Sequence, residues 1–222
     1  MIIGLTVTEY NEDYYTEHAE NGLDYLGHGY WQESYAKMVA DGLNNSLIFD
    51  AGCACGSILN GFKKLGHKVV GVDLNPHMIN LGKQHFGFTD SELWTGSIAD
   101  TPLPDESVDL VHSAQVLEHI PDEYTDAILD ELVRITKKGG KWFICLDAIR
   151  QGETKEMYMG DPTHVNIQPT VYWARKFTER GLLFDIESYN RFVNSPYGPT
   201  DGIQDNFYKS YPYWSVWTLT KE

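Results

Sequence analysis

"DAGCACGS", residues 50–57, places an acid ahead of two glycines that bracket two cysteines and an alanine. It ends the apolar run "SLIFDAG", which reads as a strand, and opens "SILNGFKKLG", whose apolar spacing is helical. A loop of small residues between a strand and a helix lets a ligand approach backbone amides at the helix N-terminus. A dinucleotide fingerprint beginning at Gly52 would also require glycine at positions 54 and 57. The chain has Ala54 and Ser57 there, so that reading fails at two of three glycines. A Cys-x-Cys metal site would need two further ligands; Cys53 and Cys55 read instead as small side chains filling a tight loop.

Outward from this loop, short apolar runs alternate with amphipathic segments, the pattern of a parallel sheet covered by helices. "SLIFDAG", "KVVGVDL", "ELWTGS", "VDLVHSA" and "KWFICLD" read as strands one to five. "SILNGFKKLG", "PHMINLGKQHF" and "DAILDELVRITKKGG" read as the helices between them. Pro76 suits a first helical turn, and Gly66 and Gly139 suit helix ends. Residues 148–168 are irregular, then a helix "PTVYWARKFTERG" and a strand "LLFDIESYN" follow. A Pro/Gly/Asn-rich excursion over 194–211 leads to a last strand, "YWSVWTLTK". With no helix expected between them, the two closing strands should pair antiparallel. The expected architecture is α/β: a seven-stranded sheet, mostly parallel with an antiparallel last strand, and helices on both faces. Residues 1–222 are expected to form a single domain, with 1–45 a Tyr-rich helical lead-in or lid and 46–222 the core.

Composition narrows the partners. The 222 residues include 42% hydrophobic side chains, enough for a full core. Seventeen Lys and Arg stand against 32 Asp and Glu, a net charge of −15 spread along the chain. Nucleic acid and acidic membranes are disfavoured, because no Lys/Arg-rich run offers a local basic patch. Three cysteines are too few for a disulfide framework. The start of the chain lacks a basic n-region and a cleavage site, and no apolar run approaches a membrane span, so a cytoplasmic location is expected. The oligomeric state is left open.

A second acid, Asp73, ends strand two in "GVDLNP". A carboxylate there can accept hydrogen bonds from both hydroxyls of a ribose, while Asp50 can attract an ammonium group. S-adenosylmethionine carries both features. The loop, Asp73, "TGSIADTPLPDESVDLVHSAQVLEHI" and the antiparallel closing pair resemble the class I S-adenosylmethionine-dependent methyltransferases over about residues 46–220, with their Rossmann-like fold. The resemblance implies S-adenosylmethionine as cofactor, lined by Asp50, Gly52, Cys53, Gly56, Asp73, Leu74, Ser97, Ile98 and Gln115. Two positions depart from the family pattern. Ala54 replaces a glycine and should reshape the loop slightly, since alanine does not adopt positive φ cheaply. Ser97 stands where many relatives carry an Asp toward the adenine amino group; a hydroxyl can accept that bond, and the Ile98 amide can serve the ring.

Methyl transfer requires a nucleophile to be aligned and deprotonated, so the base is the informative residue. His112, in mid-strand, reads as a packed or hydrogen-bonded residue of the fold. His164, in the loop after strand five, is the first candidate base and His119 the second; the segment over 148–168 is expected to form the acceptor side. Gln115, Glu118 and His119 would share one face if "QVLEHI" were a helical turn. "QVLEH" with His164 also resembles the metal-ligand set Glu-x-x-Glu-His plus a distant His of the ubiquinone-pathway O-methyltransferases, with Gln115 in place of one Glu. A neutral amide is a poorer ligand than a carboxylate for a hard dication, so no metal is assigned, and Glu118, His119 and His164 remain the metal-bound alternative. The reading is O-methylation of a small or soluble acceptor: a sugar, a phenol or a carboxylate. The alternatives are N-methylation and a non-catalytic cofactor-binding or scaffolding subunit, whose mark would be a loop that has lost its acids.

Overall fold

Branched and aromatic residues concentrate in short runs here, and in the structure these become the strands of one mixed sheet. A computed structural model describes residues 31–158, 160–196 and 214–222. The strands are β1 (Leu47–Ala51), β2 (Lys68–Asp73), β3 (Leu93–Thr95), β4 (Val108–Ala114), β5 (Thr136–Ile149), β6 (Gln168–Pro169), β7 (Leu182–Phe184) and β8 (Trp214–Lys221). The helices are α1 (Trp31–Val39), α2 (Ser57–Lys64), α3 (Pro76–Phe86), α4 (Asp122–Ile135), α5 (Thr170–Thr178) and α6 (Ile186–Val193). The strand order is β3-β2-β1-β4-β5-β8-β7, with the two-residue β6 added beside β5. β1 to β5 run parallel, and β8 lies antiparallel to both β5 and β7. The order reverses between β1 and β4, which opens a crevice beyond their carboxyl ends.

Strand alternation divides the apolar residues between two faces. Phe49, Val72, Val111, Trp142 and Ile144 face α4 and α5, where Leu129, Leu132, Trp173 and Phe177 are fully buried. Ile48, Val69, Leu110 and Phe143 pack on the other face against Tyr35 and Ala36 of α1, Phe62 of α2 and Phe192 of α6. Helices therefore cover both faces, as expected. α1 rests on α2 so closely that a methyl on Gly61 would lie 2.8 Å from the Gln32 carbonyl oxygen. Tyr35 is thereby a core residue. The other tyrosines assigned to a lid, Tyr14, Tyr15 and Tyr30, lie outside the described residues.

The helix starts follow their capping chemistry. Asn75 Oδ1 accepts from the amides of His77 and Met78 at 2.8 and 3.1 Å, with Pro76 in the first turn, a cap worth about 1 kcal/mol. Two expected elements are corrected. "LLFDIESYN" is a strand only to Phe184; Asp185 then accepts from the Ser188 amide and caps α6. A helix thus does separate the closing strands, and they pair antiparallel all the same. The helix expected to run into "TKKGG" stops at Ile135, and Thr136–Gly140 begins β5. Thr136 Oγ1 there accepts from the buried Trp142 Nε1 at 2.9 Å, which secures the early part of the strand.

Candidate active site

The loop after β1 is built on positive φ angles. Gly52 has φ 78°, and a side chain there would lie 2.6 Å from Val116, so only glycine fits. Gly56, at φ 74°, starts α2. Ala54 adopts φ 48°, the conformation that alanine was expected to avoid. Its amide donates to Asp73 Oδ2 at 2.9 Å, which offsets the backbone cost. Asp73 Oδ1 accepts from the Asn75 amide at 2.8 Å. Both carboxylate oxygens thus accept from backbone amides, and the carboxylate keeps lone-pair capacity for a ligand hydroxyl. Burial holds the Asp73 carboxyl above its ordinary range, and the amides of Asn75 and Ala54 pull against that.

The other residues assigned to the cofactor gather around this loop. The amides of Gly52 and Cys53 donate to the Val72 carbonyl, tying the loop to β2 next to Asp73 and Leu74. The Gly96 amide donates to the Asp73 carbonyl at 3.0 Å, which brings Ser97 and Ile98 to the same edge. Ser97 Oγ accepts from the Ala99 amide at 3.1 Å and retains its own proton and a second lone pair. Cys53 and Cys55 are buried, and burial together with the charges of Asp50 and Asp73 pushes the Cys53 thiol well up, so both act as packing groups.

Val116, lying against Gly52, carries the next segment onto the loop. Gln115 just before it has φ 57°, its amide bonded to the Cys145 carbonyl at 2.8 Å and its Nε2 3.8 Å from Cys145 Sγ. Leu117–His119 forms a single 3-10 turn, so the shared face expected for Gln115, Glu118 and His119 does not form. Glu118 instead points inward and is fully buried, its Oε1 accepting from the Asp147 amide at 3.1 Å while Oε2 has no partner. Burial, with the nearby Asp147 charge adding to it, pushes the Glu118 carboxyl up to about 8. Asp147 itself is pushed up to about 6 by burial against the pull of His164.

His119 and His164 come together in the fold. Their ring centroids are 4.8 Å apart, although 45 positions separate them in sequence. His164 Nδ1 bonds the Tyr158 carbonyl at 2.9 Å and lies 3.7 Å from Asp147 Oδ2; His119 Nδ1 pairs with Thr163 Oγ1 at 2.9 Å. One ligating atom from each of Glu118, His119 and His164 lies within 4.8 Å of the others. Asp147 was missed in the sequence. Its signal was position alone, a lone acid at the carboxyl end of "KWFICLD". His112 is buried, as expected, but it is also bonded to Asp50: Nδ1 lies 2.7 Å from Asp50 Oδ1, and Nε2 lies 2.9 Å from the Tyr35 hydroxyl.

Comparison with known proteins agrees with this geometry. A methyltransferase domain family matches residues 49–144, from β1 into β5. Over 111 residues the chain is 32% identical to a malonyl-[acyl-carrier protein] O-methyltransferase from Yersinia pestis, a match covering 50% of this chain and 39% of that protein. Over 106 residues it is 30% identical to a ubiquinone biosynthesis O-methyltransferase from Xanthomonas oryzae, covering 46% and 43%. The chain thus spans less than half the length of these curated relatives. Its fold is that of a TehB-like methyltransferase structure from Corynebacterium glutamicum, at TM-score 0.63 and 21% identity, covering 95% of this chain and 97% of that one. The sheet order, the glycine loop with its two acids and the matched methyltransferase domain over residues 49–144 are together similar to those of the class I S-adenosylmethionine-dependent methyltransferases.

Proposed function

We propose that the chain transfers a methyl group from S-adenosylmethionine to an oxygen of a small, soluble acceptor: a sugar hydroxyl, a phenol or a carboxylate. The observation that carries the reading is the contact of Val116 with Gly52, which seats the turn bearing Glu118 and His119, and with it His164, against the cofactor loop. The residues present fit the cofactor. Asp73 has acceptor capacity for the ribose, Asp50 offers a carboxylate to an ammonium, Ser97 and the Ile98 amide can meet an adenine, and Gly52, Cys53, Gly56, Leu74 and Gln115 complete the lining. When bound, S-adenosylmethionine supplies an electrophilic methyl on a sulfonium.

The chain's own task is to hold the acceptor oxygen and take its proton. His164 donates Nδ1–H to the Tyr158 carbonyl, so in the neutral ring Nε2 is the basic nitrogen. Asp147, 3.7 Å away, stabilises the imidazolium that forms when the proton arrives. His119 stands beside it as the second polar group of the acceptor side. The names of the two O-methyltransferase relatives and the net charge of −15 support an oxygen acceptor that is not a polyanion. Two measurements test this. S-adenosylhomocysteine should raise the melting temperature while NAD does not. His164→Ala should keep that affinity and lower turnover by about 10² to 10⁴. Near-normal turnover in the variant would remove the base; loss of wild-type turnover to a chelator, restored by Mg²⁺, would replace it with the metal-bound alternative.

A further inference from the structure

The carboxylate that opens the cofactor loop belongs to a buried chain of polar groups. Asp50 and His112 are register partners on β1 and β4, and His112 is in turn the register partner of Phe143 on β5, so the three side chains line up on the α1 face of the sheet. The imidazole is boxed by aromatic rings: stacked on Phe143 at 6.0 Å, and edge-on to Phe62 at 5.7 Å and Tyr35 at 5.6 Å. Its two nitrogens are the polar exits of this box, one to Asp50 Oδ1 and one to the Tyr35 hydroxyl. Asp50, His112 and Tyr35 are 3%, 1% and 2% exposed, so water does not compete for these bonds.

The network also sets the proton positions. A buried carboxylate requires a donor, which puts a hydrogen on His112 Nδ1; in the neutral ring Nε2 then accepts from the Tyr35 O–H, and each of these three groups is satisfied. Among the described residues, His112 is the hydrogen-bond partner of the Asp50 carboxylate. Removing the Tyr35 hydroxyl leaves Nε2 unpaired and frees the ring to turn, and the aim of Asp50 turns with it.

We infer that Tyr35, carried by α1, holds Asp50 through His112 in the position from which it receives the ammonium of the cofactor, making Tyr35 and His112 positioning residues for the amino-acid end. The inference rests on the cofactor reading above, and ligand choice separates the two. S-adenosylhomocysteine carries the amino-acid end, whereas 5′-deoxy-5′-methylthioadenosine keeps the adenosine and lacks it.

Calorimetry on wild type, Tyr35→Phe, His112→Asn and His112→Leu tests it. Tyr35→Phe removes one oxygen and keeps the aromatic packing, so the fold is retained. His112→Asn keeps an N–H near the Nδ1 position, and His112→Leu has no donor. Tyr35→Phe and His112→Leu should weaken S-adenosylhomocysteine by about tenfold, the worth of a hydrogen bond to a charged group, with methylthioadenosine unchanged. His112→Asn should recover part of the loss. Equal weakening of both ligands, or no change in Tyr35→Phe, would overturn the positioning role while leaving the cofactor reading intact. A wild type that binds neither ligand would overturn the cofactor reading, and this inference with it.

Discussion

Gly82 offers a test in which two physical effects oppose each other in sign. It lies inside α3 (Pro76–Phe86), and helix propensity alone ranks alanine above glycine by about 1 kcal/mol there, so Gly82→Ala should stabilise the protein if the helix were all that mattered. In the structure, however, a methyl at that position would lie 2.1 Å from the Cys55 carbonyl oxygen and 2.8 Å from its carbon. The obstacle is backbone, and no side-chain rotation relieves it. About 1 Å of separation must open between α3 and the loop, and overpacking of this kind costs about 1–3 kcal/mol or more. The expected net effect is destabilisation of about 1–2 kcal/mol, seen as a lower urea midpoint with an unchanged slope. Asn80→Ala, exposed on the same helix, is the control and should gain a few tenths of a kcal/mol. Because Cys55 lies between Ala54 and Gly56, the displaced loop should also bind S-adenosylhomocysteine about tenfold more weakly, as a loss of about 1.4 kcal/mol would give. A Gly82→Ala protein more stable than wild type would refute the close packing of α3 on this loop.

Two further outcomes follow from the acids. Asp73→Ala removes the acceptor proposed for the ribose hydroxyls and should cost about 2 kcal/mol of cofactor affinity; unchanged affinity by calorimetry would end that assignment. Glu118 is raised from its ordinary value of 4.5 to about 8, so the folded chain keeps a proton that the unfolded chain releases as pH climbs between those values. That stability is present at low pH and lost through pH 8, by up to about 5 kcal/mol. Glu118→Gln should flatten the fall in urea midpoint between pH 5 and pH 8, measured with a chelator present, leaving the smaller slope from Asp147; the full wild-type slope in the variant would count against the buried acid.

The loop at 50–57 and the acid at 73 could be read from sequence because their chemistry is local: small residues at a strand end, then an acid at the next strand end. The same locality placed β1 to β5. "LLFDIESYN" misled because its first three residues form the short apolar run of a strand, while the helical signal comes later. Ile186, Tyr189 and Phe192 recur every third position behind a capping Asp185, and that spacing was available. "QVLEH" misled for another reason. Its turn winds as a 3-10 helix, and Glu118 turns inward because the Asp147 amide, at the end of a distant strand, supplies a donor. Long-range register decides the remainder. Asp50 and His112 are adjacent only because β1 pairs with β4 in a particular alignment, and no spacing in the sequence announces it.

The insertion of β8 between β5 and β7 sets an order of assembly. β7 has β8 as its sheet neighbour, yet β8 begins thirty positions after β7 ends. Until that later stretch arrives, β7 has no ladder to join, and the central parallel strands expose the β5 edge that β8 will cover along seven register pairs. The parallel half of the sheet and its crevice can therefore form early, while closure of this edge waits on contacts distant in sequence and belongs among the slow steps of folding. During that interval the uncovered β5 edge is the part of the chain most open to pairing with another strand.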